Sequence, residues 1–141
     1  FGDPETQSVL PRLESDLLDI FVAVTENRLA DVEIKWSDEK AVCVVAASGG
    51  YPGSYEKGKV ISGLDDVDDD VIVFHAGTAA KAAGAAEGVE TVIVTSGGRV
   101  LGVTALGKTH EEARAKAYDN IRRISFDGMQ YRKDIGTINR R

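Results

Sequence analysis

A single cysteine occurs in the 141 residues, which excludes an internal disulfide and with it a small scaffold held together by disulfides. This residue, Cys43, lies in the apolar run 41–46, where a buried side chain in the core is favoured over redox or nucleophilic chemistry. Long apolar runs are also missing, and none approaches the roughly 18 residues of a membrane-spanning helix. We therefore expect a cytoplasmic protein that has no membrane partner.

Positive charge is scarce too, with 17 lysine and arginine residues against 23 aspartate and glutamate residues and a net charge of -6. Phosphate backbones are bound by basic surfaces, so nucleic acid is not an expected partner. The nucleotide-binding sequence Gly-x-Gly-x-x-Gly is absent. The chain begins with Phe1 rather than methionine, with no targeting pattern after it, and we interpret this start as a sign of a fragment.

Helical periodicity dominates the first 30 residues. Asp3, Pro4 and Glu5 suit a helix cap, a first helical position and the positive end of a helix dipole, respectively. Beyond Pro11, apolar residues recur at spacings of three and four. These residues are Leu13, Leu17, Leu18, Ile20, Phe21 and Val24. The pattern predicts helix over 4–29, with a break or kink near Pro11.

Strand patterns follow the helical region. Alternating apolar and polar residues predict a strand over 32–36, and the short apolar run 41–47 predicts a strand buried on both faces. Four glycines and a proline at 48–59 predict a loop. The further strands predicted are 60–61, 71–74, 91–96 and 99–106, and the alanine-rich stretch 79–88 predicts a variable surface connection.

The last third of the chain carries two sharper local signals. Gly97 and Gly98 can adopt positive φ angles, so the strands on either side of them are predicted to form a tight hairpin. Thr109 and Glu112 have the spacing of a capping box at the start of a helix that ends near Ser125. Its apolar stripe consists of Ala113, Ala117, Ile121 and Ile124. These elements predict an α+β fold with a mainly antiparallel sheet and a C-terminal helix.

Isolated side chains give few chemical candidates. The aspartates at 65–70 lack the order of a calcium-binding loop and are expected to form a solvated acidic turn. We favour a hydrogen-bonded structural role for His75 and a surface position in the first helical turn for His110. No spacing suits a metal site, and no catalytic residue can be assigned. Asp3 and Glu5 either hold an amine or only cap a helix, and both interpretations stay open.

Five segments carry a resemblance to a known family. They are Phe-Gly-Asp-Pro-Glu-Thr-Gln at 1–7, Ala-Ser-Gly-Gly-Tyr-Pro-Gly at 47–53, Phe-His-Ala-Gly-Thr at 74–78, Gly-Gly-Arg-Val-Leu-Gly-Val-Thr at 97–104 and Tyr-Arg-Lys-Asp-Ile-Gly at 131–136. In order and approximate spacing they resemble the C-terminal blocks of phosphoribosylamine–glycine ligase, or glycinamide ribonucleotide synthetase, an ATP-grasp family. The resemblance covers essentially the whole chain.

The resemblance implies a C-terminal fragment of an enzyme of purine biosynthesis. That enzyme joins glycine to 5-phosphoribosylamine through a glycyl phosphate intermediate and converts ATP to ADP and phosphate. Residues 1–30 would be the helical end of the ATP-grasp domain, and 31–141 a C-terminal domain of the rudiment single hybrid motif type that packs on it. ATP and magnesium would bind upstream of Phe1, so this chain alone is expected to bind no cofactor and to be inactive.

The resemblance also supplies site candidates by position. The substrate-binding candidates are Gly2, Asp3, Pro4, Glu5, Arg132 and Asp134. For Arg132 and Asp134 the alternative is an internal ion pair, and Arg99 is a candidate for facing a cavity shared with the ATP-grasp domain. Two other identities stay open: the C-terminal domain of a carboxylase-type ATP-grasp enzyme, and a non-catalytic interaction module. Without its parent domain, the apolar stripe of the first helices is expected to be exposed or to drive self-association.

Overall fold

A computed structural model describes residues 2–82 and 91–137 of the chain. Within these ranges the fold is α+β with antiparallel sheets and a helix near the C-terminal end, as predicted. The helices are α1 Thr6–Val9, α2 Leu17–Thr25 and α3 His110–Ile121, and the strands are β1 Lys40–Ala47, β2 Val71–His75, β3 Thr78–Ala82, β4 Thr91–Thr95 and β5 Arg99–Gly107. In the described ranges, no helix has the length and apolar character needed to cross a lipid bilayer.

Strand β5 is the centre of a three-stranded sheet and pairs antiparallel with β1 on one side and β2 on the other. Because it has a neighbour on each edge and cover on each face, its run 100–105 is buried throughout. In β1, Val42, Val44 and Ala46 are buried while the residues between them are only half-buried. The prediction of burial on both faces of β1 therefore holds for one face, because the short helix α1 covers the other face incompletely.

Helix α3 packs on β1 and β5 and completes the core. The predicted capping box is confirmed: Glu112 N donates to Thr109 Oγ1 at 3.1 Å, and Thr109 N donates to the Glu112 carboxylate at 3.3 Å. The predicted stripe is confirmed as well, since each of its four members is no more than 3% exposed. The helix ends at Ile121, earlier than expected, so Ile124 reaches the core from the segment after it.

The hairpin predicted around Gly97 and Gly98 is wrong. Strand β4 pairs with β3, and neither glycine has a positive φ angle. Residues 96–98 join β4 to β5. At these residues the antiparallel pairing changes from β3 with β4 to β2 with β5. Strand β3 was missed in the predicted connection 79–88, whose remaining residues, 83–88, lie outside the described ranges. Pairing partners are chosen by the whole sheet, and a local glycine pair cannot specify them.

The predicted long helix over 4–29 is also wrong in its extent. Helix α1 is one turn long and passes into a 3₁₀ turn at Leu10–Arg12, and α2 begins separately after Asp16. The Asp16 carboxylate caps α2 by accepting a hydrogen bond from Leu18 N at 2.7 Å. The sequence signal for this second start is Ser15-Asp16, placed directly before the apolar residues.

Two of the short predicted strands are not strands in the structure. Residues 32–36 form an extended segment beside residues 12–15, with one isolated bridge between Leu13 and Trp36. Residues 60–61 contribute a single bridge to β4. The loop predicted over 48–59 is confirmed.

Candidate functional site

A cleft of about 480 Å³ opens where β1, β5, the loop 48–59 and the segment 130–132 meet. Its lining residues are Val45, Ala47, Tyr51, Pro52, Arg99, Gln130, Tyr131 and Arg132. The lining is apolar or aromatic apart from Gln130 and two arginines, and it combines residues from three of the five motif segments. The fold therefore brings together side chains that lie up to 87 residues apart, from Val45 to Arg132.

The loop 48–59 forms one wall of this cleft. It is held in place by hydrogen bonds from Ser48 and by a close approach at Gly98. Ser48 N donates to Gly98 O at 2.8 Å, and Ser48 Oγ donates to Gly97 O at 2.9 Å. A Cβ on Gly98 would lie 2.2 Å from the ring of Tyr51, so the ring can occupy this position because residue 98 has no side chain. Gln130 Nε2 donates to Tyr51 O at 2.9 Å and ties the loop to the opposite wall.

Arg99 enters the cleft from the first position of β5 and forms an ion pair with Asp3. Arg99 Nη2 lies 2.6 Å from Asp3 Oδ2, although the two residues are 96 positions apart. The predicted capping of a helix by Asp3 is therefore wrong, because its carboxylate is used by Arg99 and α1 has no side-chain cap. Asp3 is thereby connected to a residue of the cleft wall.

The remaining residues of the turn 2–5, which we call the signature turn, are arranged by local contacts. Thr6 N and Thr6 Oγ1 both donate to Gly2 O, at 3.1 and 2.6 Å. A Cβ on Gly2 would lie 2.5 Å from Glu5 Oε2, so glycine leaves room for the Glu5 carboxylate. Pro4 follows Asp3 in the same turn and is half-buried.

Arg132 and Asp134 form the ion pair that was the structural alternative for them. Arg132 Nε and Nη2 donate to the two carboxylate oxygens of Asp134 at 2.9 and 2.5 Å. The hydrogen bond from Arg132 is the main cause that lowers the pKa of Asp134, and the same contact raises the pKa of Arg132. Because Arg132 also lines the cleft, the ion pair leaves a binding role for it open.

Helix α3 anchors the segment that carries this pair. Tyr118 Oη donates to Arg132 O at 2.7 Å and accepts from Ile135 N at 3.1 Å. Arg114 adds hydrogen bonds from Nε to Ile135 O at 3.0 Å and from Nη2 to Lys133 O at 2.9 Å. The backbone on both sides of Arg132 is therefore fixed to the core helix.

The other sequence candidates lie away from the cleft. His75 Nδ1 is 3.0 Å from Thr78 Oγ1, in agreement with the hydrogen-bonded role predicted for it, and His110 is exposed in the first turn of α3. Burial raises the pKa of the Cys43 thiol, and a hydrogen bond involving Thr104 opposes that effect. Cys43 therefore stays protonated near neutral pH. Its side chain is half-buried rather than buried in the core as predicted, because it lies on the incompletely covered face of β1.

The aspartates of the acidic segment are exposed, as predicted for a solvated turn, and two of them also form ion pairs. The hydrogen bond from Arg123 is the main cause that lowers the pKa of Asp68, followed by the one from Asn120. Asn120 is fully buried, and its Oδ1 accepts from Asp68 N at 2.8 Å. Asp70 forms an ion pair with Lys116. These aspartates hold the segment 65–70 against α3.

Among the polar and aromatic residues of the cleft, Tyr51, Gln130 and Tyr131 were not among the sequence candidates. Tyr51 and Tyr131 lie inside motif segments that had been quoted only for the resemblance, and this was the available signal. Gln130 carried none, because its amide acts on the backbone of a loop 79 residues away. Within 2–82 and 91–137, no group of three or more histidine, cysteine, aspartate or glutamate residues could hold a metal ion.

A family model of a C-terminal domain matches most of the chain. The family model described as "Phosphoribosylglycinamide synthetase, C domain" matches residues 41–138, and the chain belongs to this family. This match confirms the resemblance stated from the sequence motifs. The carboxylase-type and interaction-module alternatives are not favoured.

Individual relatives carry the ligase name. The chain is 52% identical over 135 residues to phosphoribosylamine–glycine ligase of Caldanaerobacter subterraneus subsp. tengcongensis, covering 96% of this chain and 30% of the relative. It is 51% identical to the Synechocystis ligase, with 96% and 31% covered. A bifunctional purine biosynthetic protein of Dictyostelium discoideum is 50% identical, with 96% and 16% covered.

A solved structure agrees with these relatives. The crystal structure of phosphoribosylamine–glycine ligase from Thermotoga maritima superposes with a TM-score of 0.67 at 34% identity, covering 95% of this chain and 31% of that one. The chain thus spans about 30% of the length of the ligases it matches.

Proposed function

We propose that this chain is the C-terminal part of a phosphoribosylamine–glycine ligase. That enzyme joins glycine to 5-phosphoribosylamine, with conversion of ATP to ADP and phosphate, and gives glycinamide ribonucleotide for purine biosynthesis in the cytoplasm. The observation that carries the proposal is the 52% identity across 96% of the chain with 30% of a ligase of that name. The cleft and the ion pair that joins it to the signature turn support it from the structure.

The cleft suits substrates that carry anionic groups. Glycine has a carboxylate and 5-phosphoribosylamine a phosphate, and a guanidinium has five N–H donors. Arg99 uses one nitrogen on Asp3, and Arg132 uses two on Asp134, so each keeps donors for a ligand. We assign substrate binding to the signature turn (Gly2, Asp3, Pro4 and Glu5) and to Arg132, with Asp134 holding Arg132 in place.

The chain's own residues do not fit a magnesium or nucleotide site. The described ranges contain no cluster of carboxylates or histidines for a metal, and the sequence has no Gly-x-Gly-x-x-Gly turn. Residues 102–109 have the spacing of a Walker sequence, but 102–107 lie in strand β5 and form no phosphate-binding loop before α3. We therefore assign ATP and magnesium to the other 70% or so of the relatives' length. The isolated 141-residue chain is expected to form no ADP.

An exposed apolar surface fits contact with that remaining part. Between the start of α2 and β1, the exposed large apolar residues, here called the N-terminal apolar surface, are Leu18, Phe21, Val22, Val24, Leu29, Ile34 and Trp36. An apolar patch of this kind marks an interaction surface. We propose that residues 1–30 are the end of the ATP-grasp domain and that 31–141 form the C-terminal domain. The N-terminal apolar surface then packs on the rest of the ATP-grasp domain.

The test uses a hybrid ligase in which this chain replaces the stretch it matches in the Caldanaerobacter enzyme. ADP formation that requires both glycine and 5-phosphoribosylamine is the expected result, with the 141-residue chain alone as the inactive control. A hybrid that is soluble and shows native circular dichroism yet forms no ADP would contradict the proposal. ADP formation by the isolated chain would contradict the assignment of ATP binding to the rest of the ligase.

A further inference from the structure

We propose that Arg99 is a positioning residue of this ligase, which fixes the signature turn against the cleft through its ion pair with Asp3. The inference rests on the proposed function, because it concerns the same cleft. It pairs the guanidinium of Arg99 with the carboxylate of Asp3, and it leaves the Glu5 carboxylate outside the ion pairs of the described residues.

The ion pair joins two parts of the chain that are otherwise held by few polar contacts. Within the described residues it is the one ion pair between the segment that precedes β1 and the rest of the fold. Gln7 supplies the neighbouring contacts, since its carbonyl accepts from Thr104 Oγ1 at 3.1 Å and its amide oxygen lies 3.3 Å from Cys43 Sγ. The signature turn itself is therefore attached to the sheet mainly through Arg99.

Arg99 is suited to this role because its backbone is confined. Gly77 N donates to Arg99 O at 2.9 Å, and a Cβ on Gly77 would lie 2.5 Å from that oxygen. On the other side Arg99 is the register partner of Ala47, next to the irregularity in β1. Ser48 holds the carbonyls of the two preceding glycines. A side chain on such a rigid support can fix a turn that is less constrained.

The partner at the other end is the less constrained one. The side chain of Asp3 is 65% exposed against 40% for Arg99, and its turn is closed by the contacts of Thr6 with Gly2 O. Glu5 takes part in none of the ion pairs of the described residues, so its charge is not neutralised within them. Fixing Asp3 therefore orients Glu5, two residues further along.

The test compares variants of the hybrid ligase. Arg99→Gln and Arg99→Asp are expected to lower kcat/KM for glycine and 5-phosphoribosylamine about 10- to 100-fold, because small misplacements of binding groups carry losses of that size. KM for ATP is expected to be unchanged. The swapped variant Asp3→Arg/Arg99→Asp restores the ion pair and is expected to exceed the kcat/KM of Arg99→Asp by at least about 3-fold, as a coupled pair does. The matched control Arg122→Gln breaks another exposed ion pair, at 2.7 Å with Asp119, and keeps full activity.

Two results would overturn the inference: wild-type kinetics for Arg99→Gln, or a swapped variant as poor as Arg99→Asp. A second measurement on the 141-residue chain separates this failure from that of the proposed function. In Arg99→Gln, amides of α1 should exchange hydrogen about 2- to 5-fold faster than in Arg122→Gln, as expected for loss of an exposed ion pair. Equal exchange in the two variants also overturns the inference, whether or not the hybrid ligase is active.

Discussion

At Gly63 a single missing side chain allows two segments to meet. Its φ angle is 81°, and a Cβ would lie 1.9 Å from Arg123 O. Next to it, Ser62 and Ser125 exchange two backbone hydrogen bonds, at 2.9 and 3.0 Å. The close approach after α3 therefore depends on glycine for both space and conformation. Gly58 shares the conformation, with φ of 80°, but nothing lies within 4 Å of its Cβ position.

These two glycines separate backbone strain from steric conflict. Gly58→Ala is expected to lower the free energy of unfolding by about 1 to 2 kcal/mol, which is the cost of a left-handed conformation for alanine. Gly63→Ala adds a clash with a backbone oxygen and should cost about 3 to 5 kcal/mol. Urea unfolding of both variants measures the difference. Equal losses would show that the segment after α3 moves aside without cost.

At the scale of elements, the sequence predicts those parts whose signals are local. The capping box at Thr109 and the stripe Ala113, Ala117, Ile121 and Ile124 lie within one helix, so spacing alone locates them. The run 99–106 is a strand because it is the buried centre of the sheet. The partner of β4 could not be found in this way, because the Gly97-Gly98 signal for a turn is equally a signal for close backbone approach to Gly77.

The site shows the same limit. Arg99, Arg132 and the signature turn were available as candidates only because motif segments resemble those of a family. Their proximity depends on the register of β1 against β5 and on Ser48 holding the loop 48–59, and neither is encoded in any one segment. The pairing of Asp3 with Arg99, rather than with the start of a helix, follows from this long-range geometry.

The capping box of α3 gives a prediction at this scale. Thr109→Ala removes the acceptor for Glu112 N and is expected to lower the free energy of unfolding by about 1 kcal/mol. Thr109→Ser keeps the hydroxyl and should stay within about 0.3 kcal/mol of the unsubstituted chain. Chemical denaturation followed by far-ultraviolet circular dichroism measures both. If serine and alanine lowered stability equally, the methyl group of Thr109 rather than its hydroxyl would be responsible.

The molecule as a whole combines a closed core with one open apolar surface. The sheet, α3 and the segment after it bury their apolar residues against one another. In α2, by contrast, Ala23 is the one buried residue, while Leu18 and Phe21 are 68% and 48% exposed. The N-terminal apolar surface is thus the part of the chain whose amphipathic pattern has no partner in the described residues. This agrees with the exposure expected for these helices.

This surface predicts the behaviour of the isolated chain in solution. Because apolar area gains free energy on leaving water, the 141-residue chain is expected to self-associate as its concentration rises, in spite of its net charge of -6. Leu18→Glu/Phe21→Glu should abolish this association, with sedimentation velocity as the measurement. Val60→Glu/Ile72→Glu is the matched control, since it adds the same charge at two exposed apolar residues elsewhere and should leave association unchanged. A monomer at all concentrations, or equal effects of the two double variants, would mean that charge or another surface governs the behaviour of the chain.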